Sequence, residues 1–451
     1  MGAEKKYLKW YQKLAYGSGD FGSNCFYSFI TSFVMIYLTD AVGLNAGVIG
    51  TLILVSKCFD GFTDVIFGKM IDKTHHKLGK ARPWILYTTI PIAVCEVLMF
   101  TTPMGMNEGL QYAYFFVIYT AANSIFYTAN NISYTTLMAL ITKNDNERVQ
   151  ITSIRYIFAM VSSIIISAAS MSMVSAFGGG VTGWRMTAVI FAAIQVVCCL
   201  ICFFAAKEIP DTDEKKEGKE ISTESFWVTL KVILKNKYYL LMLSNTVLGY
   251  IGQGIMGALG IYYCTYVLGN AALFGVLSMA QLAMAIGLMF TPMIVKRMGI
   301  YKAVTVFMSL SGAFAVLAAI AGFMQSIPLL VTAIALKFLT FAPSSGCGNP
   351  IVAEIATNIY LKNGIRAEGI IFSCSSVGIK VGGGLASAIS GWVLVAARYN
   401  AGLEVQTAAT QTGITAGYLV IPAIVSVLVA VIIRRVRVIQ ENQQLLNEKN
   451  A

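Results

Sequence analysis

The chain has 451 residues, of which 57% are hydrophobic and only 12% charged. A soluble domain carries about 25% charged residues, so this composition excludes an ordinary soluble protein and points to a polytopic membrane protein. The net charge of +11 does not mark a nucleic-acid binder, because Lys and Arg collect in alternate loops between apolar runs, the pattern that sets membrane orientation.

An apolar run of about 20 residues crosses the hydrocarbon core as a helix. Twelve such runs are expected, near 15–38, 46–70, 83–103, 111–141, 151–176, 184–206, 238–267, 271–295, 302–324, 327–357, 366–396 and 412–434. Breaks carry Gly and Pro, as in 103–109, 178–180, Gly299 and Gly364. The predicted fold is all-α: twelve transmembrane helices in two six-helix halves. The division expected is an N-terminal half at 1–206, a cytoplasmic linker at 207–237, a C-terminal half at 238–434 and a cytoplasmic tail at 435–451. The linker sequence DTDEKKEGKE is dense in both signs and reads as a flexible tether. With both termini cytoplasmic, 28 of the 33 Lys and Arg fall inside, only Arg185 and Arg398 fall outside, and Lys57, Lys337 and Lys380 lie within spans. Lys5, Lys6, Lys9 and Lys13 precede the first span with no cleavage-type site, so no signal peptide is expected.

The charges inside the spans carry the functional signal. Lys57, Asp60 and Asp64 sit three and four apart on one helical face of the second run. A charge at the bilayer centre costs about 2.5–3.5 kcal/mol even on the lenient insertion scale, so this stripe must face protein or water. One reading is an ion pair that locks two helices together. The other is a cation-binding face in a transport pathway, since two carboxylates against one lysine leave a negative charge to balance. Hard cations need several oxygens, and Asp60, Asp64, Thr63 and Thr128 supply candidates for Na⁺. Two neighbouring carboxylates in low dielectric also suit a proton.

Further polar residues line the other runs. Asp20 and Asn24 lie four apart in the first. Tyr127, Thr128, Asn131 and Thr135 are spaced for one stripe in the fourth. Lys337 and Glu354 lie in the tenth, and Ser375, Ser376 and Lys380 in the eleventh. Lys337 has two readings: a partner for Asp20 or Glu354, or a cation that meets a substrate carboxylate. The small residues of VGGGLASAISG let the eleventh span approach its neighbours closely.

Standard enzyme motifs are absent: there is no HExxH, GxxxxGK[ST] or GxSxG, and no enzymatic activity is expected. All nine cysteines lie in apolar segments with no disulfide framework or metal spacing. His75 and His76 read as solvated loop residues. Without a nucleotide-binding loop, an ion gradient would drive transport, and no cofactor beyond a coupling Na⁺ or H⁺ is expected.

Four blocks in order carry a resemblance: YGSGDFGSN with YLTDAVGL, SKCFDGFTDVIFGKMIDKTHHKLGKARPW, NNISYTTLMALITKNDNERVQITSIR, and RAEGIIFSCSSVGIKVGGGLA. The chain resembles the glycoside–pentoside–hexuronide:cation symporters of the major facilitator superfamily, the group of the melibiose and glucuronide permeases, over almost its whole length. The resemblance implies a symporter of the bacterial plasma membrane that carries a glycoside with Na⁺ or H⁺ by alternating access. Its implied partners are a small-molecule glycoside and membrane lipid, with no nucleic acid, and it is compatible with a monomer. By position, Asp60 and Asp64 match the cation-site aspartates and Thr128 a hydroxyl ligand. Lys57 stands where melibiose permeases have arginine, and Lys380 matches a lysine between the cation and sugar sites. Asn24 and Asn131 stand where those permeases have sugar-binding aspartates. Arg155 matches a sugar-contacting arginine at a spacing that differs by one residue, and Thr135 replaces a tryptophan. The neutral asparagines look more like the glucuronide and xyloside branch. A hexuronide, a pentoside and a neutral disaccharide all remain as substrates. A membrane sugar sensor and a transporter of a non-sugar organic anion are the rival functions.

Overall fold

The computed structural model describes residues 6–209, 226–365, 368–403 and 405–450. All regular structure among them is helical. The first helices are α1 (Trp10–Ile36), α2 (Ala46–Asp72), α3 (Arg82–Met99), α4 (Glu108–Thr120), α5 (Thr128–Ile141), α6 (Asp145–Ala176) and α7 (Gly180–Ala205). After them come α8 (Phe226–Lys235), α9 (Lys237–Tyr266), α10 (Leu273–Met279), α11 (Ala283–Met298), α12 (Ile300–Phe323) and α13 (Ile327–Gly346). The chain continues through α14 (Gly348–Asn363), α15 (Glu368–Ala396), α16 (Ala408–Thr415), α17 (Ile421–Ile433) and α18 (Val438–Asn450). Wider π turns extend α1 over Tyr37–Val42, join α4 to α5 over Ala121–Tyr127, and join α16 to α17 over Ala416–Val420.

Ten helical stretches among the described residues are long and apolar enough to cross a membrane. The expected spans at 83–103 and 111–141 are helical but are not among the ten. The reason is polarity: α3 is only 18 residues long and carries Arg82 and Glu96, and the α4–α5 stretch is diluted by Asn123, Asn130, Asn131 and several hydroxyls.

Local chemistry sets the ends. Asn45 caps α2 by accepting from the backbone N–H groups of Gly47 and Val48, at 2.9 and 3.3 Å. Asn107 and Asn144 do the same for α4 and α6. Gly43, at φ 89°, reverses the chain after the first π turn, in a region open to glycine at no steric cost. The α3 N-terminus is capped from a distance: the Glu208 carboxylate accepts from the N–H groups of Lys80, Ala81 and Arg82 at 2.8–3.0 Å.

The chain forms two compact units. One holds Met1–Thr212, Gly257–Ser278 and Ser387–Gln411; the other holds Asp213–Met256, Met279–Ala386 and Thr412–Ala451. In the first, α1 lies against α6 and α7, α3 against α5 and α7, and α2 against α4 and α5. Its core is aromatic: Phe29, Phe33, Phe100 and Trp184 pack with ring centroids 4.4–6.2 Å apart. Close helix crossings depend on glycine. A Cβ on Gly391 of α15 would lie 2.2 Å from the carbonyl oxygen of Ala46, and one on Gly50 would lie 2.6 Å from that of Ser387. The small residues of the eleventh span therefore do permit close approach.

In the second unit, α12 packs along α13 and α17, and α11 along α13. Of the expected linker, 210–225 lies outside the described residues, and α8 occupies 226–235. The expected tail contains a docked helix. The Asn442 amide on α18 donates to the Glu354 backbone and carboxylate, both at 2.8 Å, and accepts from Asn358. Glu441 pairs with Lys362, accepts from Tyr238, and lies 3.1 Å from the Lys237 ammonium.

Candidate ion and substrate site

The α2 stripe forms as its spacing requires. The Lys57 ammonium lies 3.3 Å from Asp60 Oδ2, and the two side chains are 14% and 5% exposed. This pair sits within one helix, three residues apart, so the expectation that it locks two helices is not met. The contact between elements comes from Ser124 in the α4–α5 π turn, whose hydroxyl donates to Asp60 Oδ1. Thr120 in turn donates to the Ser56 hydroxyl at 3.1 Å, so Ser56, Thr120 and Ser124 form an oxygen-rich wall beside Asp60. The Lys57 ammonium also lies 5.7 Å from the centre of the Tyr27 ring on α1.

Asp64 is half-buried one turn beyond Asp60 on α2. The Thr63 hydroxyl donates to the Asp60 carbonyl at 3.1 Å. Thr128, 5% exposed, donates to the Asn123 carbonyl at 3.0 Å, closing the π turn. Both hydroxyls thus donate to the backbone and present oxygen lone pairs, the polarity a cation requires. No cluster of three or more His, Cys, Asp or Glu side chains suited to a metal ion occurs among the described residues. Any Na⁺ site would therefore combine two carboxylates with neutral oxygens.

The π turn divides the expected stripe on the fourth span. Thr128 is buried, Tyr127 half-buried, and Asn131 and Thr135 exposed, so the four do not share one environment. A π turn adds one residue and rotates the helix beyond it, which a uniform helical count does not anticipate. The Tyr127 ring stacks on Phe26 and Tyr27 of α1, with centroids 5.4 and 5.7 Å away.

Asp20 and Arg155 form a second ion pair, between α1 and α6, with Arg155 Nη2 3.4 Å from Asp20 Oδ1. The guanidinium lies 4.6 Å from the Tyr134 ring centre, and Tyr134 stacks on Tyr16 at 4.5 Å. Each of these tyrosines donates its hydroxyl to the other's carbonyl. Asn24 donates to the Asp20 carbonyl at 2.9 Å. The first unit thus gathers Asp20, Asn24, Lys57, Asp60, Asp64, Tyr127, Thr128 and Arg155 on α1, α2, α5, α6 and the intervening π turn.

Lys337, Lys380, Ser375 and Ser376 belong to the second unit. Lys380 is half-buried and Ser376 exposed on α15, while the Ser375 side chain lies outside the described ones. Within the second unit, Glu354 does not partner Lys337 as expected, because its carboxylate accepts from Asn442; Asp20, in the first unit, pairs with Arg155. The Lys337 ammonium instead donates to the Met256 thioether at 3.0 Å and lies 5.4 Å from the Phe338 ring centre.

Two features escaped sequence reasoning. Asp40, at the end of α1, accepts from Thr39 at 2.6 Å, Tyr399 at 2.6 Å and Tyr266 at 2.5 Å, with Tyr262 bonded to Thr39. The YLTD motif drew attention only as part of a family block, and nothing local joins it to tyrosines 226 and 359 residues away. Glu96 on α3 is fully buried, and neither carboxylate oxygen has a hydrogen-bond partner.

Buried ion pairs and hydroxyl oxygens on helices long and apolar enough to cross a membrane fit a membrane carrier. The sequence matches the MFS/sugar transport protein family over residues 15–439. It is 31% identical to an isoprimeverose transporter of Lactiplantibacillus pentosus, covering 93% of this chain and 87% of that protein. It is 24% identical to a glucuronide carrier protein homolog of Escherichia coli K12, covering 94% and 92%. In structure it resembles a bacterial homolog of the human lysosomal transporter Spinster, with a TM-score of 0.71, 13% identity, and 96% and 99% covered. That likeness speaks for the fold alone. The chain belongs to the major facilitator sugar-transport family, in the glycoside–pentoside–hexuronide:cation symporter group.

Proposed function

We propose that this protein is a secondary active symporter that carries a glycoside together with Na⁺ or H⁺ by alternating access. Twelve spans in two six-helix halves, with both termini cytoplasmic in a bacterial plasma membrane, complete the reading. The observation that carries it is the α2 stripe in a chain of this family. Lys57 pairs with Asp60, and Asp64 lies one turn further along the same helix as the second carboxylate of the stripe. Ser124, already on Asp60, and the oxygens of Thr63 and Thr128 extend the ligand set. Asp20, Asn24, Tyr127, Asn131, Thr135 and Arg155 are assigned to the sugar, and Lys380 to coupling. Neutral side-chain amides and stacked rings suit hydroxyl-rich, partly apolar sugars.

Coupling arises from charge balance. Carboxylate charge in this stripe is costly inside a membrane, and that cost disfavours the rearrangement that exposes the sugar to the other side. Binding of the cation removes that cost and permits passage of the loaded carrier. The test is uptake into membrane vesicles across a panel of glycosides, with Na⁺ and pH gradients imposed separately. Accumulation driven by one of them supports symport. Ligand binding without any gradient-driven accumulation would identify a sensor and refute it.

A further inference from the structure

The first unit holds a cavity of about 330 Å³ between the end of α2, the start of α3 and the π turn before α5. Phe67, Trp84, Ile125 and Phe126 line its apolar part, and Thr74 and His76 of the α2–α3 loop line its other end. Ile125 and Phe126 lie midway along the helical stretch from 108 to 141, whereas Thr74 and His76 lie just past the end of a membrane-crossing helix. The cavity therefore runs from the membrane surface toward the bilayer centre. Beside it, Tyr87, Ile90 and Val94 form an apolar face of α3 at helical spacing, each of them about half exposed or more. The mouth is held in place by hydrogen bonds. The Trp84 indole N–H donates to the Thr74 hydroxyl at 2.9 Å, and Thr74 donates to the Met70 carbonyl at 2.8 Å. The Leu78 N–H donates to His76 Nδ1 at 3.1 Å, which leaves His76 Nε2 as a donor.

Around that mouth the charge is one-sided. The stretch 69–82 carries Lys69, Lys73, Lys77, Lys80 and Arg82 against Asp72 alone. The nearby Glu208 carboxylate is already taken by three backbone N–H groups at the start of α3. Lys73 and Lys77, which flank Thr74 and His76 in the chain, are exposed and form no ion pair among the described residues. An apolar slot beside a lipid-type face, ending at basic side chains, complements a molecule with an acyl chain and an anionic headgroup. We infer that this cavity binds an anionic phospholipid. One acyl chain lies along Phe67, Trp84, Ile125 and Phe126, and the phosphate meets Lys73, Lys77 and the His76 Nε2–H. A zwitterionic lipid offers the chain but brings its own ammonium to the lysines. A free phosphate offers no chain. The site rests on the reading that α3 and α5 span the membrane beside α2, and it goes beyond glycoside symport. It also bears on the ion site, because the π turn that lends Ile125 and Phe126 to the cavity lends Ser124 to Asp60. A bound chain packs against the segment that holds that hydroxyl.

The experiment reconstitutes the full chain in phosphatidylcholine vesicles that contain phosphatidylglycerol brominated in its acyl chains. Bromine quenches tryptophan at close range, and the Trp84 signal is the part of the emission lost in Trp84→Phe. In wild type, Trp84 quenching should saturate at one phosphatidylglycerol per chain. Binding should be roughly tenfold to thirtyfold tighter than that of equally brominated phosphatidylcholine, since each lysine near an anionic lipid is worth about a fivefold factor. Lys73→Gln combined with Lys77→Gln should bring the two lipids close to equality, and Lys73→Arg with Lys77→Arg should keep the preference. Both positions are exposed loop residues, so the variants retain the fold. Equal quenching by the two lipids in wild type overturns the site, as does quenching that rises with mole fraction and never saturates. A double glutamine variant that keeps the full preference also overturns it. Inorganic phosphate at constant ionic strength should not displace the lipid, and displacement would make this a free-anion site instead. No glycoside or gradient enters the assay, so failure of symport leaves its result intact, and failure of the lipid site leaves symport untouched.

Discussion

Asp60→Asn separates a structural ion pair from a coupling site. The Asp60 carboxylate is 5% exposed and faces the Lys57 ammonium at 3.3 Å. The asparagine keeps an oxygen for the Ser124 hydroxyl but removes the charge, which strands Lys57, itself 14% exposed. Removing one member of a buried pair costs about 3–5 kcal/mol. Removing both with apolar or neutral residues of similar volume is often neutral, so Lys57→Met combined with Asp60→Asn should recover most of the lost stability. Transport should not recover with it. If Asp60 helps to balance the coupling ion, gradient-driven accumulation is absent in the single and the double variant alike. Thermal unfolding of purified protein and vesicle uptake, run on wild type, both single variants and the double, separate the two quantities. A double variant that is stable and accumulates sugar like wild type would refute the assignment and leave a purely structural pair.

Asp64→Asn should also abolish accumulation, because it removes one of the two carboxylates of the α2 stripe; normal accumulation in vesicles would refute this. Lys380→Ala should impair uptake while leaving the amount of folded protein unchanged, since losing a mid-span charge eases insertion; wild-type specific activity would count against a coupling role. Glu96→Leu should not destabilise the protein and should raise its unfolding midpoint, because a buried polar group without a hydrogen bond costs about 1–3 kcal/mol. A fall in the midpoint would show that Glu96 has a partner in the working protein. Glu441→Gln removes the shared partner of Lys237 and Lys362, so α18 should be cleaved faster by protease. Salt should produce part of the same effect in wild type, because these pairs are partly exposed. Unchanged digestion would place the docking of α18 in the Asn442 network instead.

Much of this molecule was legible in the chain. Apolar runs fix where the long helices lie because the bilayer permits little else, and Asn45, Asn107 and Asn144 mark starts through a local capping chemistry. The Lys57–Asp60 pair was legible for the same reason, since helical spacing decides it. What sequence reasoning missed depends on contacts between distant segments or on departures from regular periodicity. Ser124 reaches Asp60 only because the chain widens into a π turn there. Glu208 and Asn442 act on helices far away in sequence, and no local pattern announces either. Glu354 was expected as a partner of Lys337 because charge alone was matched, with no account of the neutral amide that satisfies it.

The π turn at Ala121–Tyr127 also governs how this chain can be compared with its kin. A π turn holds one residue more than the α-turn it replaces, so a homologue with plain α-helix in this span reaches the same depth one position sooner. Counting straight through would then pair each residue with a neighbour rotated by about 100° around the helix axis. Thr128, Asn131 and Thr135 all lie beyond that point. Their counterparts in other proteins have to be found by superposing the segment after the turn, and a single-residue gap inside a membrane span is the mark to look for.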